Sequence, residues 1–219
     1  MSPKICVVVG AGPGLGLAVA RRFGLEGYHL ALVARRAEAL AEYVTEFGQA
    51  GLKAQAVAAD AADFASLRWA MAHIQEQWGD PEVLVYNPVA IHGGQPSTLD
   101  PDDLIADFRV NVAGALVCAQ AVIPAMKAAQ RGTLLFTGGG LALNPYPDYA
   151  SLAVGKAGLR NLAYSLGAEL APDGIQVATV TIAGFIQPGT HFDPALIAEK
   201  YWALHQQPPG QREREIIYR

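Results

Sequence analysis

The chain is poor in the residues that mark many specialised classes of protein. Two cysteines in 219 residues give no disulfide framework. Cys6 and Cys118 each fall in an apolar stretch and read as small buried hydrophobes, with no thiolate metal site around them. No histidine–carboxylate spacing resembles a ligand set, so no metal is expected. Charged residues make up only 16% against 52% hydrophobic, which excludes a disordered chain. Basic side chains are outnumbered 16 to 20, for a net charge of −4, which argues against a nucleic-acid surface or a basic membrane patch. The most apolar long stretch, Val110–Met126, is interrupted by Asn111, Gln120 and Pro124. It reads as a helix buried on several sides rather than a membrane span. Lys4 is followed at once by a strand, so no secretory leader is expected and the cytoplasm is the expected compartment. No internal repeat or second domain is visible.

What the chain does have is glycine at 10, 12, 14 and 16, directly after the β-branched run Ile5–Val9 and before the helix formers that begin at Leu17. Strand, glycine turn and helix together aim unpaired backbone N–H groups and the positive helix end at a phosphate. A Cβ there would block both the tight turn and the approach of a pyrophosphate. The spacing is G-x-x-x-G-x-G at Gly10, Gly14 and Gly16, with Leu15 inside it. A tight strand–helix turn without a ligand is the plainer reading of such a loop taken alone.

Strand and helix signals then alternate along the chain. Strands are expected at 29–34, 54–59, 82–86, 133–137 and 175–182, with a possible edge strand at 213–218. Helices are expected at 37–50, 64–78, 101–127 (adjusted near Gly114 and Pro124), from a cap at Asp148 to about 170, and at 194–205. Near-continuous apolar strands separated by helices imply a parallel sheet covered on both faces, a three-layer α/β/α doubly wound fold in a single domain over 1–219. Ligands in such a sheet lie beyond the carboxyl ends of the strands. The second strand ends in Val33-Ala34-Arg35-Arg36, with no carboxylate to accept the ribose hydroxyls. Two guanidiniums suit a 2′-phosphate, favouring NADP(H) over NAD(H), unless they only begin a solvated helix. Asp60, after the third strand, is placed to accept from an adenine amino group or to hold the turn before the next helix.

With these positions in hand, the sequence resembles the short-chain dehydrogenase/reductase family over nearly its full length. The resemblance is carried by Gly10-x-x-x-Gly14-x-Gly16, the Asp60 turn, Glu82-Val-Leu-Val-Tyr-Asn87, Asn111-Val-Ala-Gly114, Lys156-Ala-Gly-Leu159 and Gly184-Phe-Ile186. It implies a Rossmann-type fold, a nicotinamide cofactor, hydride transfer on a carbonyl or alcohol, and homodimers or homotetramers built through the helices that hold Asn111 and Lys156. Together with Arg35 and Arg36, read above from the end of the second strand, it implies that Gly10, Gly14, Leu15, Gly16, Asp60, Asn87, Lys156, Gly184 and Ile186 hold the cofactor. Residues 184–206 form the implied substrate loop and helix, with Phe185, His191, Phe192, Tyr201, Trp202 and His205 as an aromatic lid or a subunit contact.

The family's catalytic set is an asparagine, a serine, a tyrosine and a lysine. Asn111 and Lys156 match it. The tyrosine position, four residues before the lysine, is Leu152, and the serine position falls near Gly139. The chain is therefore an atypical member by this resemblance, with the usual acid and its helper missing. Tyr149, seven residues before Lys156, returns to nearly the same helical face about 10 Å along the axis, and is a displaced candidate for proton transfer or simply an aromatic beside Tyr146. His92 and His191 sit on loops expected near the pocket mouth, where either could donate a proton near neutral pH, although single loop histidines are usually just exposed. The expected function is an NADP(H)-dependent oxidoreductase of a small, fairly apolar carbonyl or alcohol. The alternatives are a catalytically silent dinucleotide-binding sensor or partner subunit, and a non-redox isomerase or lyase in the same pocket.

Overall fold

The computed structural model describes residues 3–219. Seven strands form one parallel sheet: β1 (Ile5–Val9), β2 (His29–Ala34), β3 (Ala54–Ala58), β4 (Val83–Tyr86), β5 (Gly132–Gly139), β6 (Ile175–Ile182) and β7 (Glu215–Tyr218). Their spatial order is β3-β2-β1-β4-β5-β6-β7. The order reverses between β1 and β4, which opens a crevice above their carboxyl ends. The strands β1, β4 and β6 are buried at every position because helices cover both faces.

One face is covered by α1 (Leu15–Leu25), α2 (Ala37–Gln49) and α7 (Pro194–His205). The other carries α3 (Phe64–Trp78), α5 (Gly114–Ala129) and α6 (Ala150–Leu170). The expected long helix starts as α4 (Pro101–Phe108), with Asp100 accepting from Asp102 N at its start. A π-helical turn, Arg109–Ala113, joins it to α5. There Tyr86 Oη donates to Val110 O at 2.6 Å, and a Cβ on Gly114 would lie 2.3 Å from that same hydroxyl. The combined helix 101–129 is long and apolar enough to cross a membrane by length and composition. In this fold its Val117, Cys118, Ala119 and Val122 pack into the sheet core instead.

Several sequence expectations need correction. Asp148 does not cap α6: the cap is Tyr149, with no side-chain cap bond, and Asp148 lies in the preceding turn. The fifth strand runs two residues past Thr137 because Gly138 and Gly139 pair with Thr181 and Ile182 of β6. A Cβ at Gly138 would come within 2.5 Å of Thr181 Oγ1, so the close pairing uses the missing side chain. The aromatic residues of α7 are not a lid. Tyr201 is fully buried, His205 bonds to Tyr28 and Thr133, and Trp202 packs on Phe23. The last strand does form an edge, parallel to β6, with Glu215 locked by both Arg160 Nε and Nη2, Tyr164 Oη and Thr181 Oγ1.

Candidate active site

The glycines of the turn divide into two roles. Gly10, at φ 82°, is packed so closely that a Cβ would meet Pro88 N at 2.7 Å, and one on Gly16 would meet Gly10 O at 2.4 Å. These two let β1, β4 and α1 come together. Gly12 and Gly14 have nothing within 4 Å of a Cβ position, and Gly14, at φ 94°, is the N-cap of α1. Their open side, with the first N–H groups of α1, is the cradle that a pyrophosphate would fill. Leu15 is buried beneath it.

Arg35 and Arg36 follow β2 on the exposed rim. Neither has a salt bridge or side-chain hydrogen bond among the described residues, whereas Arg22 and Arg160 are both paired to carboxylates. Asp60 uses its carboxylate to accept from Ala62 N at 2.9 Å, and the cap of α3 is Asp63. It holds the turn while remaining exposed. Asn87 ties the glycine turn to the next strand over: its Nδ2 donates to Gly10 O at 3.1 Å and its Oδ1 accepts from Thr137 Oγ1 at 2.8 Å. Tyr201 Oη lies 2.7 Å from the same hydroxyl and completes the chain of bonds from α7.

Lys156 is buried on α6, its stem along Gly139 and its Nζ donating to Thr137 O at 2.7 Å. Burial pushes its ammonium down to about 8. No carboxylate pairs with it among the described residues. Asn111 sits in the π turn and makes both bonds to one backbone unit, donating to Ala90 O at 2.8 Å and accepting from Ala90 N at 2.9 Å. It thereby holds the β4–α4 loop; π turns within helices often mark functional positions. Gly155 permits this approach of α4–α5 to α6, since a Cβ there would lie 2.8 Å from Asn111 Nδ2.

Tyr149 stands outside the helix proper, as the cap of α6 with φ −123°. The helical-face relation to Lys156 therefore does not extend to it. It is 40% exposed, beside Tyr146 at 6.1 Å between ring centroids. Leu152 is half-buried on the first turn of α6. Gly184 and Ile186 lie on the loop after β6, with the Phe192 ring lying against Gly184 and Phe185 87% exposed. Thr190 is occupied in its own turn, donating to Gln187 O at 2.8 Å. Apart from the crevice, a hollow of about 520 Å³ lies at the amino ends of β1–β3, between Ile5, Leu52 and Trp78, away from all these groups.

The structure also brings together residues that the sequence reading did not connect. Asp107 on α4, completely buried, accepts from His92 N, from His92 Nδ1 at 2.8 Å and from Ser151 Oγ. Its signal was available: Asp107 is four residues before Asn111, hence on the same helical face.

Comparison with known proteins places the fold in a family. The profile of the short chain dehydrogenase family matches residues 4–192. The chain belongs to the short-chain dehydrogenase family. This short-chain dehydrogenase is 30% identical over 178 residues to 2,3-dihydro-2,3-dihydroxybenzoate dehydrogenase of Bacillus subtilis, covering 81% of this chain and 68% of that one. It is also 30% identical over 179 residues to the (2S)-[(R)-hydroxy(phenyl)methyl]succinyl-CoA dehydrogenase subunit BbsC of Thauera aromatica, covering 82% and 71%. Among solved structures it is similar to a metagenomic short-chain oxidoreductase in complex with NADP, with TM-score 0.90, 28% identity, and 99% and 97% of the two chains covered. The Rossmann-type sheet and the oxidoreductase family are thereby shown together.

Proposed function

We propose that this short-chain dehydrogenase binds NADP(H) in preference to NAD(H) and reduces a small, fairly apolar carbonyl, or oxidises the matching alcohol, with a non-standard acid–base group. The observation that carries this reading is Lys156: a buried ammonium without a counter-ion is costly, and a site that keeps one has a use for it. Gly10, Gly14, Leu15 and Gly16 would seat the pyrophosphate, and Asp60 and Asn87 would flank the adenosine and nicotinamide halves. Arg35 and Arg36 would meet the 2′-phosphate, and Lys156 would hold the nicotinamide ribose, with Gly184 and Ile186 on the far side. When bound, the nicotinamide supplies or accepts hydride. The likeness to a relative solved with NADP supports the phosphorylated form.

Leu152 and Gly139 stand where the family's tyrosine and serine would be, so the proton must come from elsewhere. Asn111 positions the β4–α4 loop, and Tyr149 is the notable tyrosine at the cleft rim. The apolar rim residues Val89, Ile91, Phe185 and Ile186, all at least 41% exposed, favour an apolar substrate handled by the 184–206 segment within the single domain. Ile105, Phe108 and Val154, exposed on α4 and α6, favour a homodimer or homotetramer through those helices. Two free, buried cysteines suit a cytoplasmic enzyme.

Calorimetry with NADPH and NADH, followed by a carbonyl panel read by NADPH absorbance and product, tests the reading. NADPH should bind at least tenfold tighter than NADH, and Arg35→Ala should remove most of that preference. Saturable NADPH binding with no turnover of any carbonyl would leave the second reading, a silent dinucleotide-binding subunit, which Leu152 and Gly139 specifically favour.

A further inference from the structure

The missing tyrosine poses a question of proton supply, and the groups around the cleft mouth differ in how well they answer it. Tyr149 has a half-exposed ring beside Tyr146 and no side-chain hydrogen bond among the described residues. His191 is fully engaged, its Nε2 on Arg219 O and its ring stacked on Tyr218 at 4.8 Å. His92 is different. It stands two residues beyond Ala90, the unit clasped by Asn111. Its carbonyl lies 3.0 Å from Ser151 Oγ, next to Leu152, while Gly94 of the same loop bridges to Tyr149.

The imidazole on this β4–α4 loop is also held in one orientation. Asp107 holds Nδ1 at 2.8 Å with one oxygen and His92 N at 2.6 Å with the other, and Ser151 Oγ donates to that second oxygen at 2.5 Å. The carboxylate is wholly buried, whereas the imidazole side chain is 49% exposed. This fixes Nδ1 as the bound edge and leaves Nε2 as the open one, 3.6 Å from Asp103 Oδ1. A buried carboxylate behind a half-exposed imidazole is the arrangement that sets the tautomer of a general acid or base.

Resting on the carbonyl-reductase reading above, we propose that His92 is the proton donor of this enzyme, with Asp107 and Ser151 as its positioning residues. In reduction, the His92 Nε2–H bond breaks and its proton goes to the substrate oxygen as the C=O π pair moves onto that oxygen. The carbon gains hydride from the reductant, NADPH, which is released as NADP⁺, and the neutral imidazole regains its proton from water at the rim. Asp107 and, less closely, Asp103 raise the imidazole's affinity for a proton, so the acid form extends toward neutral pH. The other titratable residues against the loop are Asp148, whose backbone carbonyl accepts from Gly94 N and whose carboxylate lies 3.5 Å from Gln95 Nε2, and Tyr149, whose backbone bridges to Gly94.

The test compares the wild type with His92→Gln, Asp107→Asn and Asp103→Asn. NADPH-dependent turnover is measured across about pH 5 to 9, NADPH affinity by calorimetry, and the histidine side chains by ¹⁵N spectra. In the wild type, kcat for reduction should fall as pH rises through the titration of one imidazole. His92→Gln should lower kcat by about 10²-fold, abolish that limb and remove one histidine resonance, with NADPH affinity unchanged within about twofold. Asp107→Asn and, more weakly, Asp103→Asn should shift the limb and the resonance to lower pH together. A His92→Gln enzyme with wild-type kcat and an intact limb overturns the proposal while leaving the reductase reading standing. So does a His92 resonance that ignores both aspartate variants. A wild type that binds NADPH but turns over no carbonyl overturns the reductase reading, and this proposal with it. If Asp107→Asn fails to fold, His92→Gln and Asp103→Asn, whose side chains are both about half exposed, decide.

Discussion

Lys156→Met should make this protein more stable and less able to bind its cofactor. In the folded chain burial lowers the Lys156 ammonium from the ordinary 10.5 to about 8. At about 1.4 kcal/mol per pH unit, that is a cost of about 3 kcal/mol for keeping the charge at neutral pH. Methionine is similar in length and apolar, so it removes the charge and keeps the packing of the stem along Gly139. It also removes the bond to Thr137 O, worth about 1 kcal/mol net. The balance is a gain of about 2 kcal/mol, or a rise in Tm of about 4–8 °C for a chain of this size. The pH dependence has a definite sign. The folded lysine releases its proton before the unfolded one does, so between about pH 8 and 10.5 the unfolded chain binds the extra proton. Wild-type stability therefore rises with pH across that window relative to the variant. The assay is a pair of denaturant melts without cofactor, at about pH 7 and pH 10, for both proteins. The variant's advantage should be full at the lower pH and shrink by about 2 kcal/mol at the higher. A variant less stable than wild type at neutral pH, or an advantage that does not change with pH, would refute the reasoning.

Three further outcomes follow from particular contacts. Gly114→Ala should destabilise by about 2–3 kcal/mol despite alanine's better helix propensity, because its Cβ would press on the Tyr86 hydroxyl that bonds Val110 O; urea unfolding measures this. Glu215→Gln should cost about 2 kcal/mol by breaking the ion pair with Arg160. Its partners hold the Glu215 carboxyl at about 2, well below the ordinary 4.5, so its contribution is present above the ordinary value and lost as pH falls toward the folded one, readable in acid melts of the two proteins. Leu152→Tyr should raise carbonyl turnover if the pocket is otherwise intact. Adding Gly139→Ser should be less favourable than expected, since a Cβ there lies 3.3 Å from Lys156 Cγ and must displace the lysine stem; NADPH-coupled kinetics of the single and double variants separate the two effects.

The sheet and its helices were legible because their signals are local and redundant. Apolar runs, Gly and Pro stops and the order of strand and helix need no tertiary information, and β1 to β7 fall where those signals put them. The errors lie where tertiary contacts override local preference. Asp148 is a good cap by composition, yet the chain enters α6 one residue later, with the preceding turn pinned to Gly94 N. Gly138 and Gly139 look like a loop, yet close pairing with β6 makes them strand. The aromatic residues of α7 could have faced either way, and the helix face that buries Tyr201 against Thr137 depends on where α1 sits. For the candidate site, the glycine turn and Arg35 stand out by their places after β1 and β2, whereas Asn111 and Lys156 stand out only through the family resemblance. Asp107, Ser151 and His92 come from three separate elements, and only folding sets them within a hydrogen bond of one another.

That juxtaposition depends on how closely two helices approach. Gly155 and Gly158 on α6 face the π turn and the end of α4, with Asn111 and Phe108 respectively at 2.8 and 3.0 Å from where a Cβ would be. A Cβ at Gly155 would force Asn111 or α6 to shift, and at Gly158 it would press on the Phe108 ring. Because Ser151 lies one turn before Gly155 on the same face, a shift of α6 would take its hydroxyl off Asp107 and the His92 carbonyl. Lys156 and Leu152 sit beside those two positions on the helix, Lys156 with its stem along Gly139 and its amine on Thr137. One helix thus sets two things at once: the depth at which Lys156 meets β5, and the separation at which Asp107 can hold His92. Ser151 and Lys156 thus belong to one helix, although no hydrogen bond joins Lys156 to His92.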